Sequence, residues 1–73
     1  MDLGIQPLDG IMTWLGLANT DLVRVSTEQL THKMVQKGRK GRRLTLKAQM
    51  KILKALNAAS EEEKFSLKDL FNY

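Results

Sequence analysis

Cysteine is absent from this 73-residue chain, proline occurs once, and the aromatic residues are one Trp, one Tyr and two Phe. Without cysteine there are no disulfides and no thiolate metal sites, which fits a reducing, cytoplasmic setting. No apolar run approaches the ~18 residues that spanning a membrane needs. The opening stretch MDLGIQPLDG has an acid at its second residue and no apolar core, so no secretory signal is expected. The scarcity of aromatics leaves little equipment for stacking single-stranded bases, and none of them falls in the basic middle of the chain. The length suits one small domain, which buries only roughly 60% of its unfolded surface and has modest stability.

What is present is an uneven charge. The net charge of +4 hides acidic ends around a basic centre. Residues 1–23 carry Asp2, Asp9 and Asp21 and no Lys or Arg, whereas residues 24–54 carry ten Lys/Arg against the single acid Glu28. Six of those basic residues fall between Lys33 and Arg43 with no acid among them. Such a distribution points to one positive face, suited to a polyanion, with nucleic acid ahead of an anionic membrane.

Hydrophobic spacing predicts helices throughout and no strand, giving an all-α bundle of four to five helices. Leu8, Ile11, Met12 and Leu15 follow Pro7 at helical spacing and stop at Gly16, predicting a first helix over 7–15. Asn19 is read as the N-cap of a second helix over 19–25, with Leu22 and Val25 inward. Ser26 and Gln29 have capping-box spacing, predicting a third helix that starts at Ser26, turns Leu30 and Met34 inward and stops near Gly38. GRKGRR is then a basic loop. Thr45 is read as the cap of a fourth helix with Leu46, Met50, Leu53 and Leu56 as its apolar stripe and Ile52 widening it. In the C-terminal segment 60–73, Ser60 with Glu63 and Ser66 with Asp69 have capping-box spacing. Phe65, Leu67, Leu70, Phe71 and Tyr73 are too apolar for a free tail and are expected to pack back on the bundle.

Catalytic chemistry finds little support. One His and no Cys give no nucleophile–base set, and His32 has no second ligand at metal spacing. Glu61, Glu62 and Glu63 read as carboxylates at a helix start rather than as an acid/base pair. The expectation is a binding protein without enzymatic activity and without a cofactor or metal. With the third helix drawn from Ser26, the outward side holds Glu28, Gln29, His32, Gln36 and Arg39. Gln can bond an adenine edge bidentately and Arg a guanine edge. The same stripe also reads as an ordinary solvated helix face beside a surface charge run.

Three stretches carry a family resemblance. LANTDLV (residues 17–23) is similar to the L-T-x-x-x-L-A pattern that opens the helix-turn-helix of lambda-repressor-like (Xre-type) DNA-binding domains. VSTEQLT (Val25–Thr31) resembles the V-S-x-x-x-I-S that begins their recognition helix. LTLKAQMKILKALN (Leu44–Asn57) resembles their later x-S-L-x-x-L-x-K-I-A-K-A-L-N helix. The resemblance covers about residues 17–57 of a single 1–73 domain. Two departures stand out: a turn between helices 2 and 3 that reads shorter than usual and lacks the family's glycine, and a longer, basic stretch after the recognition helix.

The resemblance implies a bacterial or phage-like transcriptional regulator that reads the major groove of duplex DNA with helix 3 and holds phosphates with the basic segment 37–43. It implies that Thr27, Glu28 and His32 lie near base edges and that Asn19 contacts phosphate. Joined to the outward face and the charge run, it gives Thr27, Glu28, Gln29, His32 and Gln36 as base readers. Asn19, Lys33, Lys37, Arg39, Lys40, Arg42 and Arg43 are then the phosphate contacts. Because such domains often bind as dimers across half-sites, it also implies a weak homodimer. An RNA ligand for the same basic tract stays open, as does a protein-interaction module that keeps the fold without the nucleic acid.

Overall fold

The computed structural model describes residues 4–60 and 64–73. The described residues form five helices in the order α1 (Pro7–Leu15), α2 (Asn19–Val25), α3 (His32–Lys40), α4 (Leu46–Ala59) and α5 (Leu67–Leu70). The chain is all-α. Its core is Leu8 and Met12 from α1, Leu22 from α2, Leu30 from the α2–α3 connection and Val35 from α3. Ile52, Ala55 and Leu56 of α4 and Leu70 and Phe71 at the C-terminus complete it. α2 packs on both α3 and α4, while α1 packs on α3 and α5.

The first two helices have the expected bounds, but of the two residues expected inward in α2 only Leu22 is buried, and Val25, in the last turn, is exposed. Pro7 occupies the first turn of α1, and Gly16 closes it in the left-handed region at φ 71°. α2 begins where expected, but Ala18 is its N-cap and Asn19 its first helical residue. The orphan backbone N–H of Ala18 is taken by the Asp21 carboxylate at 2.7 Å. The Asn19 side chain is thereby left for longer-range work.

The third helix departs from expectation. It begins at His32, and Ser26–Thr31 form a six-residue non-helical connection, longer than the sequence suggested. The Ser26–Gln29 capping box does not form. Ser26 Oγ instead donates to the Glu28 carbonyl at 2.9 Å and accepts the Glu28 N–H at 3.2 Å, the local bonding by which serine competes with helix formation. Leu30 anchors the connection in the core. Thr31 is the true cap, its Oγ1 accepting the Met34 N–H at 3.1 Å. Val35 and Gly38 therefore face inward, and Met34 is only half-buried.

Gly38 does not stop α3 either. Its missing side chain lets the helix press on the core, since a Cβ there would lie 3.1 Å from Ile52, 3.3 Å from Leu44 and 3.4 Å from Leu8. The helix ends at Gly41, which adopts φ 93° and has its Cα against the backbone of Gly4. Residues 38–40 of the expected basic loop are thus helical.

Thr45 caps α4 as expected, accepting the Ala48 N–H at 3.2 Å. The buried stripe of α4 is Ile52, Ala55 and Leu56, with Leu53 half-buried. Leu46 is 64% exposed and Met50 is also exposed, because the first turns of α4 project past the core. The C-terminal segment packs back as expected. Asn57 bonds both backbone groups of Phe65, at 2.8 and 3.1 Å, and α5 starts with Asp69 accepting the Ser66 N–H at 2.8 Å. Leu70 and Phe71 are buried and Phe65 half-buried. The expected Ser60–Glu63 box lies outside the described residues.

Candidate nucleic-acid interface

Starting α3 at His32 resets its outward side. His32, Lys33, Gln36, Lys37 and Lys40 are all exposed. At 100° per residue they span an arc of roughly 140°, while Val35 and Gly38 hold the opposite side on the core. α3 contains no acid. A helix of nine residues thus presents three lysines, one amide and one imidazole on a continuous strip.

The loop after α3 extends that charge. Arg42 and Arg43 are exposed. The loop is braced by Tyr73, whose hydroxyl accepts the Leu44 N–H at 3.1 Å and donates to the Arg42 carbonyl at 3.4 Å. The Arg43 guanidinium lies 6.0 Å from the Tyr73 ring centroid, within cation–π range. Between this loop and α3 lies an open cleft of about 380 Å³, lined by Lys33, Met34, Lys37, Arg43, Leu44 and Thr45 among others. Three of these side chains are cationic and none is acidic.

Arg39 stands apart from the other basic residues. Its side chain is 18% exposed. Its Nε donates to Asp9 Oδ1 at 2.7 Å and its Nη1 to Asn19 Oδ1 at 2.8 Å. Asn19 in turn donates from Nδ2 to Gln36 Oε1 at 3.0 Å. Two of the expected phosphate contacts, Arg39 and Asn19, are therefore joined to each other and to an expected base reader.

The remaining expected base readers separate in space. His32 and Gln36 lie on the exposed strip of α3. Thr27, Glu28 and Gln29 lie in the α2–α3 connection, off the helix. Lys54 approaches Glu28 Oε1 at 3.4 Å, and Lys51 approaches the Gln29 carbonyl oxygen at 3.4 Å, so this connection faces α4. Sequence pattern alone did not reveal Asp9 and Tyr73. Each acts on a residue about thirty positions away, and no local spacing signals such a contact.

Among the described residues no group of His, Asp or Glu is arranged to hold a metal ion, and no helix is long and apolar enough to cross a membrane. The class that fold and site define is a small all-α protein with one acid-free basic helix face. In comparisons with known proteins, no family model, no curated protein and no solved structure matches the chain.

Proposed function

We propose that this protein binds duplex DNA as a small transcriptional regulator, in a lambda-repressor-like arrangement. α2, the Ser26–Thr31 connection and α3 form its helix-turn-helix. The observation that carries this reading is the exposed, acid-free strip of α3. An α-helix with its side chains is about 10–12 Å across, and the major groove, about 12 Å wide, admits such an element. With α3 in the groove, His32 and Gln36 face base edges. Lys33, Lys37 and Lys40 flank them, and Arg42 and Arg43 extend the contact to phosphates. Phosphate contacts hold and orient, and base contacts specify.

The exposed strip has no Phe, Tyr or Trp for stacking unpaired bases, which favours a duplex over single strands. Thr27, Glu28 and Gln29 are not part of this reading surface, because Glu28 would bring a carboxylate towards the phosphates. Titration against duplex DNA, hairpin RNA and heparin at two salt concentrations tests the proposal. Duplex binding that weakens steeply with salt, together with a preferred site from a random duplex pool, is the expected result. Tightest binding to the hairpin would assign the tract to RNA, and no binding to any polyanion would leave a protein-interaction module.

A further inference from the structure

The chain Asp9–Arg39–Asn19–Gln36 has a direction fixed by chemistry. A guanidinium has only donors, so the atom Asn19 offers to Arg39 must be its carbonyl oxygen. The Asn19 amide nitrogen is then the end that faces Gln36, and it can only donate. It meets Gln36 Oε1 at 3.0 Å, in a bond at the solvent-exposed end of the chain. The two possible orientations of each amide are thereby reduced to one. Arg39 is itself anchored by Asp9 at 2.7 Å, and both of its bonds are partly buried, where charge-assisted bonds are strongest. What emerges at the surface is the Gln36 amide nitrogen with two N–H groups, one turn after His32 and one turn before Lys40.

We infer that Gln36 is a preset hydrogen-bond donor on the α3 strip, held by Asp9, Arg39 and Asn19 as positioning residues, and that it selects a base edge carrying acceptors, guanine before adenine. This rests on the proposed reading of α3 as a DNA-binding helix. Guanine presents O6 and N7, two adjacent acceptors, in the major groove. Adenine presents N7 and the N6 amino group, so bidentate bonding to it needs an outward amide oxygen. In Gln36 that oxygen is turned inward onto Asn19. A free glutamine would choose either base by rotating its amide, and this one is held.

Asn19→Asp tests the direction. An aspartate is acceptor-only when ionised, suits the first turn of α2, and keeps its bond to Arg39. It can hold Gln36 only by accepting from Nε2, which turns Oε1 outward. The experiment selects sites from a random duplex pool with the parent, Gln36→Ala, Asn19→Asp and Asn19→Ala proteins, with circular dichroism on each. The position that loses its preference in Gln36→Ala is the one Gln36 reads. There the parent is expected to prefer guanine over adenine on the order of tenfold. Asn19→Asp is expected to move the preference to adenine or cytosine, whose amino groups donate. Asn19→Ala frees the amide and is expected to bring guanine and adenine close to parity, which serves if the aspartate variant does not fold. A parent that selects no sequence overturns both this inference and the DNA-reading role of α3. A parent that selects a site at which Gln36→Ala changes nothing, or at which both Asn19 variants keep the parent's guanine preference, overturns the preset donor alone.

Discussion

The side-chain oxygen of Gln6 accepts the backbone N–H of Asn72 at 2.8 Å, tying the two ends of the chain together across 66 residues. Gln6 is 1% exposed. Its amide nitrogen donates to the Gly4 carbonyl at 2.9 Å, and its backbone N–H donates to the Arg39 carbonyl at 3.1 Å. Gln6→Ala leaves the Asn72 N–H without this acceptor and is expected to cost about 1–3 kcal/mol. At about 4–8 °C per kcal/mol for a domain of this size, the melting temperature should fall visibly. Gln6→Met restores most of the volume but not the acceptor. A methionine variant as stable as the parent would show that the bond contributes nothing.

Two glycines with positive φ should respond differently to alanine. Gly16 (φ 71°) has open space where a side chain would go, whereas at Gly41 (φ 93°) a Cβ would overlap the Gly4 backbone. Both substitutions carry the left-handed strain of about 1–2 kcal/mol. Gly41→Ala must in addition displace the N-terminal segment that Gln6 pins. Urea unfolding of the pair should rank Gly41→Ala as clearly more destabilising, and equal midpoints would contradict the close approach.

The start of α3 can be located by capping. Thr31→Ala should cost about 0.5–2 kcal/mol, and Thr31→Asn or Thr31→Ser should retain most of the stability. Ser26→Ala removes only a local turn bond and should cost less than Thr31→Ala. Equilibrium denaturation of the two alanine variants decides the matter. The reverse order would return the helix start to Ser26.

Deleting residues 65–73 removes Leu70 and Phe71 from the core, the Asn57–Phe65 bonds and the Tyr73 brace on the Arg42–Leu44 loop. Each fully buried large apolar side chain contributes on the order of 1.5–3 kcal/mol, so the truncated chain should melt far below the parent or not fold. Tyr73→Phe is the gentler probe. It keeps the ring beside Arg43 but loses both hydroxyl bonds, and should weaken DNA binding with a small loss of stability. A truncated protein that melts like the parent would mean the C-terminal segment adds nothing to the core.

Basic residues on the strip and Arg39 should separate in salt titrations. Lys33→Ala, Lys37→Ala and Lys40→Ala should each weaken binding to all duplexes and lower the salt slope by up to about one unit. Arg39→Ala should leave the slope nearly unchanged, because its charge is already matched by Asp9. It should instead lower stability and blur sequence preference through Asn19 and Gln36. An Arg39 variant with a full unit less slope would place its guanidinium on phosphate.

The helical content was legible in the sequence because it depends on local signals. Pro7 and Gly16 bound α1, Thr45 opens α4, and Ser66 with Asp69 opens α5, each through bonds within one turn. The concentration of positive charge around α3 was equally plain, since it needs only composition and period. The start of α3 was not. Ser26 and Thr31 are both competent caps, and only the burial of Leu30, Val35 and Gly38 against α1 and α4 selects Thr31. That five-residue shift of the cap moved Glu28 and Gln29 off the outward strip of α3 and turned Lys33, Lys37 and Lys40 onto it. Arg39 looked like its basic neighbours by type, yet faces Asp9 because successive helical residues are turned 100° apart. The sequence by itself determined an all-α chain with a basic centre. The tertiary structure decided which of those charges face outward and which are turned onto the protein, because core packing fixes the rotation of a helix and local propensity does not.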